Sequence, residues 1–113
     1  MVQHQQTLDR TFSALSDATR RAILLRLGKG EGSLSDLAEG LGAEMTLTGL
    51  QKHVNVLEEA GLVTTEKIGR VRQCRLGPKR LDDVTKWVTA YRARLEERLD
   101  HLEMFLERTK GKP

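Results

Sequence analysis

Hydrophobic positions recur at helical spacings along almost the whole chain, with one short interruption of strand character. Leu8, Phe12 and Leu15 stand at i, i+4 and i+7 and predict a first helix over about 7–15. Ser16-Asp17 breaks it and caps a second helix, Ala18 to about Leu27, with Ile23, Leu24 and Leu27 as its apolar stripe. Gly28, Gly30 and Gly32 around Lys29 and Glu31 read as a flexible link. Ser33 or Ser35 then caps a short third helix through Leu41, carrying Leu37, Ala38 and Leu41. Gly42-Ala43-Glu44 is a turn.

The run from Met45 to Val63 has a start, a buried face, an open face and a stop. Thr46 is a good N-cap, because its hydroxyl accepts from an unpaired first-turn N–H. Met45 and Leu50 are spaced as a hydrophobic staple around it. Leu50, Val54 and Leu57 share one face, while Thr48, Gln51, Lys52 and Asn55 turn away. Gly61 ends the helix. The open face is short, hydrogen-bonding and nearly neutral, where an ordinary solvent face would carry Glu/Lys pairs. Such a face suits the reading of base edges in a major groove, which admits one helix. It also fits a plain amphipathic helix whose polar side lacks charge, and the following segment decides between the two.

There the period changes from helix to strand. Leu62–Ile68 and Val71–Leu76 are β-rich and flank Gly69-Arg70, a hairpin with cations at and beside its tip, closed by Gly77-Pro78. Two helices joined by a short turn and followed directly by a basic hairpin make a winged helix-turn-helix, an order more specific than either part. The last element is a long helix, about Leu81 to Leu106. Leu81, Val84, Val88, Tyr91, Leu95, Leu102 and Phe105 fall on 3- and 4-residue steps interrupted only at Arg98, and Leu99 and Leu106 widen the stripe. A seam sustained over more than three heptads seeks a partner helix. Part of it, Trp87 included, is expected to pack on its own domain, and the rest to overhang and pair two copies. The expected architecture is therefore mostly α with a small β-hairpin wing. It is one winged-helix domain over 1–113, with dimerisation helices near each end, at about 7–15 and about 81–106.

Composition narrows the function. A chain of 113 residues, 38% hydrophobic and 31% charged, fits one ordered domain. No stretch approaches the length of a membrane span, and the polar start M-V-Q-H-Q-Q-T lacks an apolar signal core. Cys74 alone leaves no internal disulfide and too few thiols for a structural zinc site, so a cytoplasmic location is expected. The net charge is only +3, but its distribution is uneven. Between Leu62 and Arg80 stand Lys67, Arg70, Arg72, Arg75, Lys79 and Arg80 against Glu66 alone. A local basic patch beside a groove-reading helix is the footprint of a phosphate binder. An enzyme is excluded by inventory. The chain has no plausible Ser/His/Asp set and no metal constellation. The glycines at 28, 30 and 32 follow no strand and have no G-K-[ST] sequel. The competing reading is a winged helix that binds a partner protein and never DNA. An acidic wing would favour it, and this wing is basic.

With these pieces placed, the chain resembles the ArsR-type winged-helix repressors of bacteria. The resemblance is carried by F-S-A-L-S-D-A-T-R-R-A-I-L (12–24), L-S-D-L-A-E-G-L (34–41), L-Q-K-H-V-N-V-L-E-E-A-G-L-V (50–63) and G-R-V-R-Q-C-R-L (69–76). Trp87, Tyr91, Arg92, Arg98 and Leu99 are similar to the W-x-x-x-Y-R-x-x-x-x-x-R-L pattern of one subgroup. The resemblance implies a homodimer built from the first and last helices, and operator binding by the fourth helix and the wing. It implies repression as the usual outcome. The DNA-contacting residues expected are Thr46, Thr48, Gln51, Lys52, His53, Asn55, Arg70 and Arg72. The dimer surface expected is Leu8, Phe12, Val84, Val88, Tyr91, Leu95, Leu102 and Phe105.

The chain departs from the family pattern at three places. Ala18 stands where proline is common, and Gln51 where serine often precedes K-H. Glutamine can contact adenine through two hydrogen bonds, so it can alter the operator sequence. The sensor differs most. The third helix has no cysteine pair, and on the last helix Asp82, Asp83, Asp100, His101 and Glu103 offer some donors, with His101 the single histidine there and no second ligand pair at the family spacing. No metal, cofactor or membrane partner is expected. His53, at the edge of the buried face, is either a phosphate or base contact or a satisfied boundary histidine. Cys74 alternates with Arg72 and Leu76 and should point at the core. His4 lies in an expected frayed end. One of Arg20 and Arg21 is a possible phosphate contact, though arginines at helix starts usually solvate or pair.

Overall fold

Three helices begin where a side-chain oxygen meets a first-turn N–H. In the computed structural model, which describes residues 2–42, 45–77 and 80–110, the Asp17 carboxylate accepts from the Arg20 N–H at 3.0 Å and starts α2 (Ala18–Leu27). Helix α1 (Val2–Leu15) precedes it. Ser33 is the cap of α3 (Leu34–Leu41): its hydroxyl accepts from the Asp36 N–H at 3.1 Å, and the Asp36 carboxylate accepts from the Ser33 N–H at 3.0 Å. Thr46 caps α4 (Leu47–Glu59), accepting from the Gly49 N–H at 3.0 Å. The far end of α4 closes in a Schellman motif. The Leu62 N–H bonds to the Leu57 carbonyl and the Gly61 N–H to that of Glu58, both at 2.9 Å, with Gly61 at φ 77°.

Strands β2 (Val63–Ile68) and β3 (Val71–Leu76) form the antiparallel wing, Val63 opposite Leu76 and Ile68 opposite Val71. Gly69 turns the chain at φ 64° and Arg70 keeps a negative φ, as a II′ hairpin turn requires. Thr65, Lys67, Arg72 and Cys74 lie on the wing face turned to α4 and the core. A third strand, β1 (Gly32–Ser33), pairs with β3 in the order β1-β3-β2.

This β1 corrects the expectation of a flexible glycine link. The loop is held, with the Arg26 guanidinium donating to the Gly30 carbonyl at 2.9 Å and Gly32 buried. Two residues carry no periodicity, so nothing in their pattern announces a strand. The helix bounds also move. Helix α1 starts at Val2, so its polar first turns, His4 included, continue the helix expected only from 7. The last helix, α5, spans Arg80–Lys110. Polar residues extend both helices without an apolar repeat to mark them. Ala43, Glu44 and Pro78 of the expected turns lie outside the described residues.

The core gathers one or more fully buried side chains from most elements: Ala14 of α1, Ile23 of α2, Leu37 of α3, Leu50, Val54 and Leu57 of α4, and Val63 and Cys74 of the wing. Each large one is worth about 1.5–3 kcal/mol of removed apolar surface. This packing fixes α4 by its apolar stripe and leaves its polar stripe outward. Helix α5, about 46 Å long at 1.5 Å per residue, packs beside α1 near its start. Phe12 meets Trp87 edge-on at 5.5 Å, and Trp87 stacks on Tyr91 at 5.5 Å. From Thr85 to Lys110 every residue is exposed. No helix among the described residues is long and apolar enough to cross a membrane.

Candidate nucleic-acid interface

Packing of Leu50, Val54 and Leu57 into the core sets which side chains of α4 face outward. Thr46, Thr48, Gln51, Lys52 and Asn55 are all exposed, as their spacing predicts. Beside this face the wing and the start of α3 enclose an open groove of about 650 Å³. Gln51 and Leu47 line it from α4, Lys67, Arg70 and Arg72 from the wing, and Ser33 and Ser35 from α3. The fold thus brings three of the expected residues, Gln51, Arg70 and Arg72, to one groove. Thr46, Thr48, Lys52, His53 and Asn55 are not among its lining residues. Lys67, Ser33 and Ser35 join the groove beyond the residues expected there. Strand alternation already puts Lys67 on the face of Arg72, so that signal was present. The serines reach the groove only through the β1–β3 pairing.

The expected residues differ in how free they are. Among the described residues the side chains of Gln51 and Arg70 have no hydrogen-bond partner. Arg72 is engaged. Its Nη2 donates to Asn55 Oδ1 at 2.8 Å and to Glu58 Oε1 at 3.1 Å. The other Glu58 oxygen accepts from both the Thr65 N–H, at 3.2 Å, and the Thr65 hydroxyl, at 2.5 Å. One carboxylate on α4 therefore holds both strands of the wing. Three charge-assisted bonds meet on it, a stronger arrangement than a lone surface ion pair.

His53 turns away from the open face, toward the α1–α2 corner. Its Nδ1 lies 3.3 Å from Arg20 Nη1 and 3.8 Å from Asp17 Oδ2, and its side chain is 26% exposed. A guanidinium has only donors, so the contact with Arg20 is a hydrogen bond only in the tautomer that leaves a lone pair on Nδ1. Arg20 also donates to the carbonyls of Ala14 and Ser13 and so caps the end of α1, while Arg21 donates to that of Leu15 at 2.7 Å. Both arginines pair within the fold. The Arg20 backbone N–H bonded to Asp17 holds that carboxyl below its ordinary value, with His53 and the Arg20 charge assisting against desolvation.

Cys74 is fully buried, and burial pushes its thiol up. Among the described residues no group of three or more His, Cys, Asp or Glu side chains comes together. Of the expected dimer residues, Leu8 and Val84 are half-buried, and Phe12, Val88, Tyr91, Leu95, Leu102 and Phe105 are exposed, the last at 61%.

Residues 15–66 match the family model of a helix-turn-helix domain. The chain is 36% identical over 86 residues to YuzN, an uncharacterised HTH-type transcriptional regulator of Bacillus subtilis, covering 71% of this chain and 94% of that one. It is 28% identical over 81 residues to the transcriptional repressor SdpR of the same species, covering 72% and 88%. Among solved structures, an ArsR family transcriptional regulator is similar with a TM-score of 0.76 and 36% identity, over 81% of this chain and 93% of that one. A homodimeric winged helix-turn-helix DNA-binding domain from Mycobacterium bovis is similar with a TM-score of 0.62 and 26% identity, over 86% and 85%.

Proposed function

The chain belongs to the ArsR family of winged helix-turn-helix transcriptional regulators, DNA-binding proteins rather than enzymes, and from this premise we propose a repressor that grips a palindromic operator as a homodimer. The observation that carries the reading is the groove in which the uncommitted Gln51 of α4 faces the uncommitted Arg70 and the neighbouring Lys67 of the wing. In this reading residues 1–113 act as one winged-helix domain in the cytoplasm. Helix α4 enters the major groove, where Thr48, Gln51 and Lys52 meet base edges. Arg70 and Lys67 hold backbone phosphate, and Thr46 sits at the rim. Arg72 and His53, expected at the DNA from the sequence, serve the fold first, through Glu58 and through the α1–α2 corner.

Repression is the function of SdpR, and the Mycobacterium bovis domain is homodimeric; both properties are carried over here as part of the proposal. The exposed band along α5 and α1 supplies the dimer surface. No metal or cofactor enters the mechanism. A winged helix that binds only a partner protein, the alternative weighed from the sequence, gives way because the family consists of DNA-binding regulators. Footprinting on sites recovered from a genome-wide binding map tests the proposal. Protected half-sites should be related by two-fold symmetry with centres about 34 Å apart, or a multiple of that. Protection of single, unrepeated sites would overturn the dimeric reading.

A further inference from the structure

Gln51 and Asn55 stand one helical turn apart on the same open ridge of α4. Their amides are in different states. That of Gln51 has no partner among the described residues, while the oxygen of Asn55 accepts from Arg72 Nη2 at 2.8 Å. A guanidinium has five donors and no acceptor, so only the oxygen of Asn55 can face it. The amide nitrogen must then point the other way, and the orientation follows from chemistry. Arg72 is itself held, because Glu58 Oε1 accepts from the same Nη2 and Glu58 Oε2 is fixed by two bonds from Thr65. Thr65, Glu58, Arg72 and Asn55 form a chain of contacts from the wing to the reading face.

We propose that Arg72 is a positioning residue for base recognition: by engaging one lone pair of the Asn55 oxygen with a cation it weakens that oxygen as an acceptor and turns the N–H donors of the amide toward DNA. Asn55 then selects guanine, whose major-groove edge presents the two acceptors N7 and O6. It turns away adenine, whose edge pairs an acceptor N7 with a donor N6–H and calls for both ends of the amide. An adenine N6–H would have to share the Asn55 oxygen with a cation. Gln51 keeps both ends of its amide and is the residue left to read adenine. Two similar side chains on one ridge thereby read different bases, and the difference is written in the wing rather than in the helix.

The inference rests on the operator-binding reading above, and selection from a randomised duplex pool tests it with both kinds of failure kept apart. Wild-type protein and the Asn55→Ala, Asn55→Asp, Arg72→Met and Arg72→Lys variants are each taken through the selection, with a thermal midpoint recorded for each. In the wild type, the position that Asn55→Ala relaxes should be guanine. Arg72→Met keeps the apolar stem and removes the donors, so it should shift that position toward adenine by about tenfold. Arg72→Lys retains a donor and should keep guanine. Should Arg72→Met not fold, Asn55→Asp still decides. It sits on an exposed surface, keeps an acceptor for Arg72 and replaces the N–H donors with a second, charged acceptor, so guanine should be lost as in Asn55→Ala. Adenine at the Asn55-dependent position of the wild type, an unshifted preference in folded Arg72→Met, or guanine retained by Asn55→Asp overturns the inference. A wild-type pool with no enriched sequence overturns the operator reading itself.

Discussion

Gln51 and Arg70 line the same groove yet should fail differently when removed. Arg70 contributes charge. Arg70→Ala should weaken operator and random DNA alike and flatten the slope of log affinity against log salt by about one unit. Gln51 contributes base contacts. Gln51→Ala should cost about 1–3 kcal/mol on the operator and little on random DNA. Titrations of both variants on both DNAs over a range of salt check this, and equal loss for Gln51→Ala would mean that another face of α4 reads the bases. At this scale the sequence reveals position but not occupation. The i, i+4, i+7 spacing of Leu50, Val54 and Leu57 is enough to turn Gln51 and Asn55 outward. Nothing local reports that Asn55 is bonded to an arginine on the far strand of the hairpin, or that His53 faces Arg20 across the fold. Those partners meet only after the wing and the α1–α2 corner have packed.

At the scale of elements, boundaries written in single residues are the legible ones. Ser33, Thr46, Gly61 and Gly69 each act locally, and each falls where its chemistry puts it. Strand β1 is illegible in the sequence because it exists only by pairing with β3, Gly32 with Cys74 and Ser33 with Gln73. The capping box of α3 predicts a pH effect. The Ser33 backbone and side chain bonded to Asp36 hold that carboxyl below its ordinary value. A depressed carboxylate stabilises the fold above its unfolded pKa of about 4, and the contribution is lost as pH falls through the lower folded value. Asp36→Asn should therefore be less stable than wild type at neutral pH and converge with it in acid, as urea midpoints across pH will read. A midpoint gap that grows in acid would contradict the assignment. The junction between wing and α5 gives a second prediction. The Gly77 N–H donates to the Leu62 carbonyl at 2.8 Å, so close that an added Cβ would lie 2.2 Å from the Gly61 carbonyl oxygen. Backbone meets backbone there, and no side chain can swing aside. Gly77→Ala should cost about 1–3 kcal/mol or more, lowering the thermal midpoint by several degrees. An unchanged midpoint would show that the strand end shifts freely.

For the whole molecule, the long helix α5 is legible because its apolar repeat is regular, and its exposure in the single chain matches a helix too long to be covered by its own domain. Leu95 separates folding from pairing. It is 47% exposed in the single chain, so Leu95→Glu should leave the domain folded while burying a charge in any seam between copies. Sedimentation should give a monomer and circular dichroism an intact helical signal. A Leu95→Glu protein that stays dimeric would place the interface elsewhere. Ligand response is the other molecular property. Cys74 is inside, and His4, His53 and His101 belong to three different helices. A zinc or arsenite switch needs three or four soft or imidazole donors at fixed distances, in a site that differs between two states. Operator affinity should stay the same with chelator, micromolar zinc or arsenite, and metal-driven release abolished by His101→Ala would contradict this.

The exposed apolar band on α5 has one more consequence, and it concerns abundance. Read as the half of an interface, it makes DNA binding a second-order property of the cell. Below the concentration at which copies pair, the number of competent dimers grows with the square of the number of chains. Halving the supply, by dilution at division or by proteolysis of unpaired chains, would then cut the number of competent dimers about fourfold. A repressor built this way needs no bound effector to release its genes. Its own scarcity is a sufficient signal.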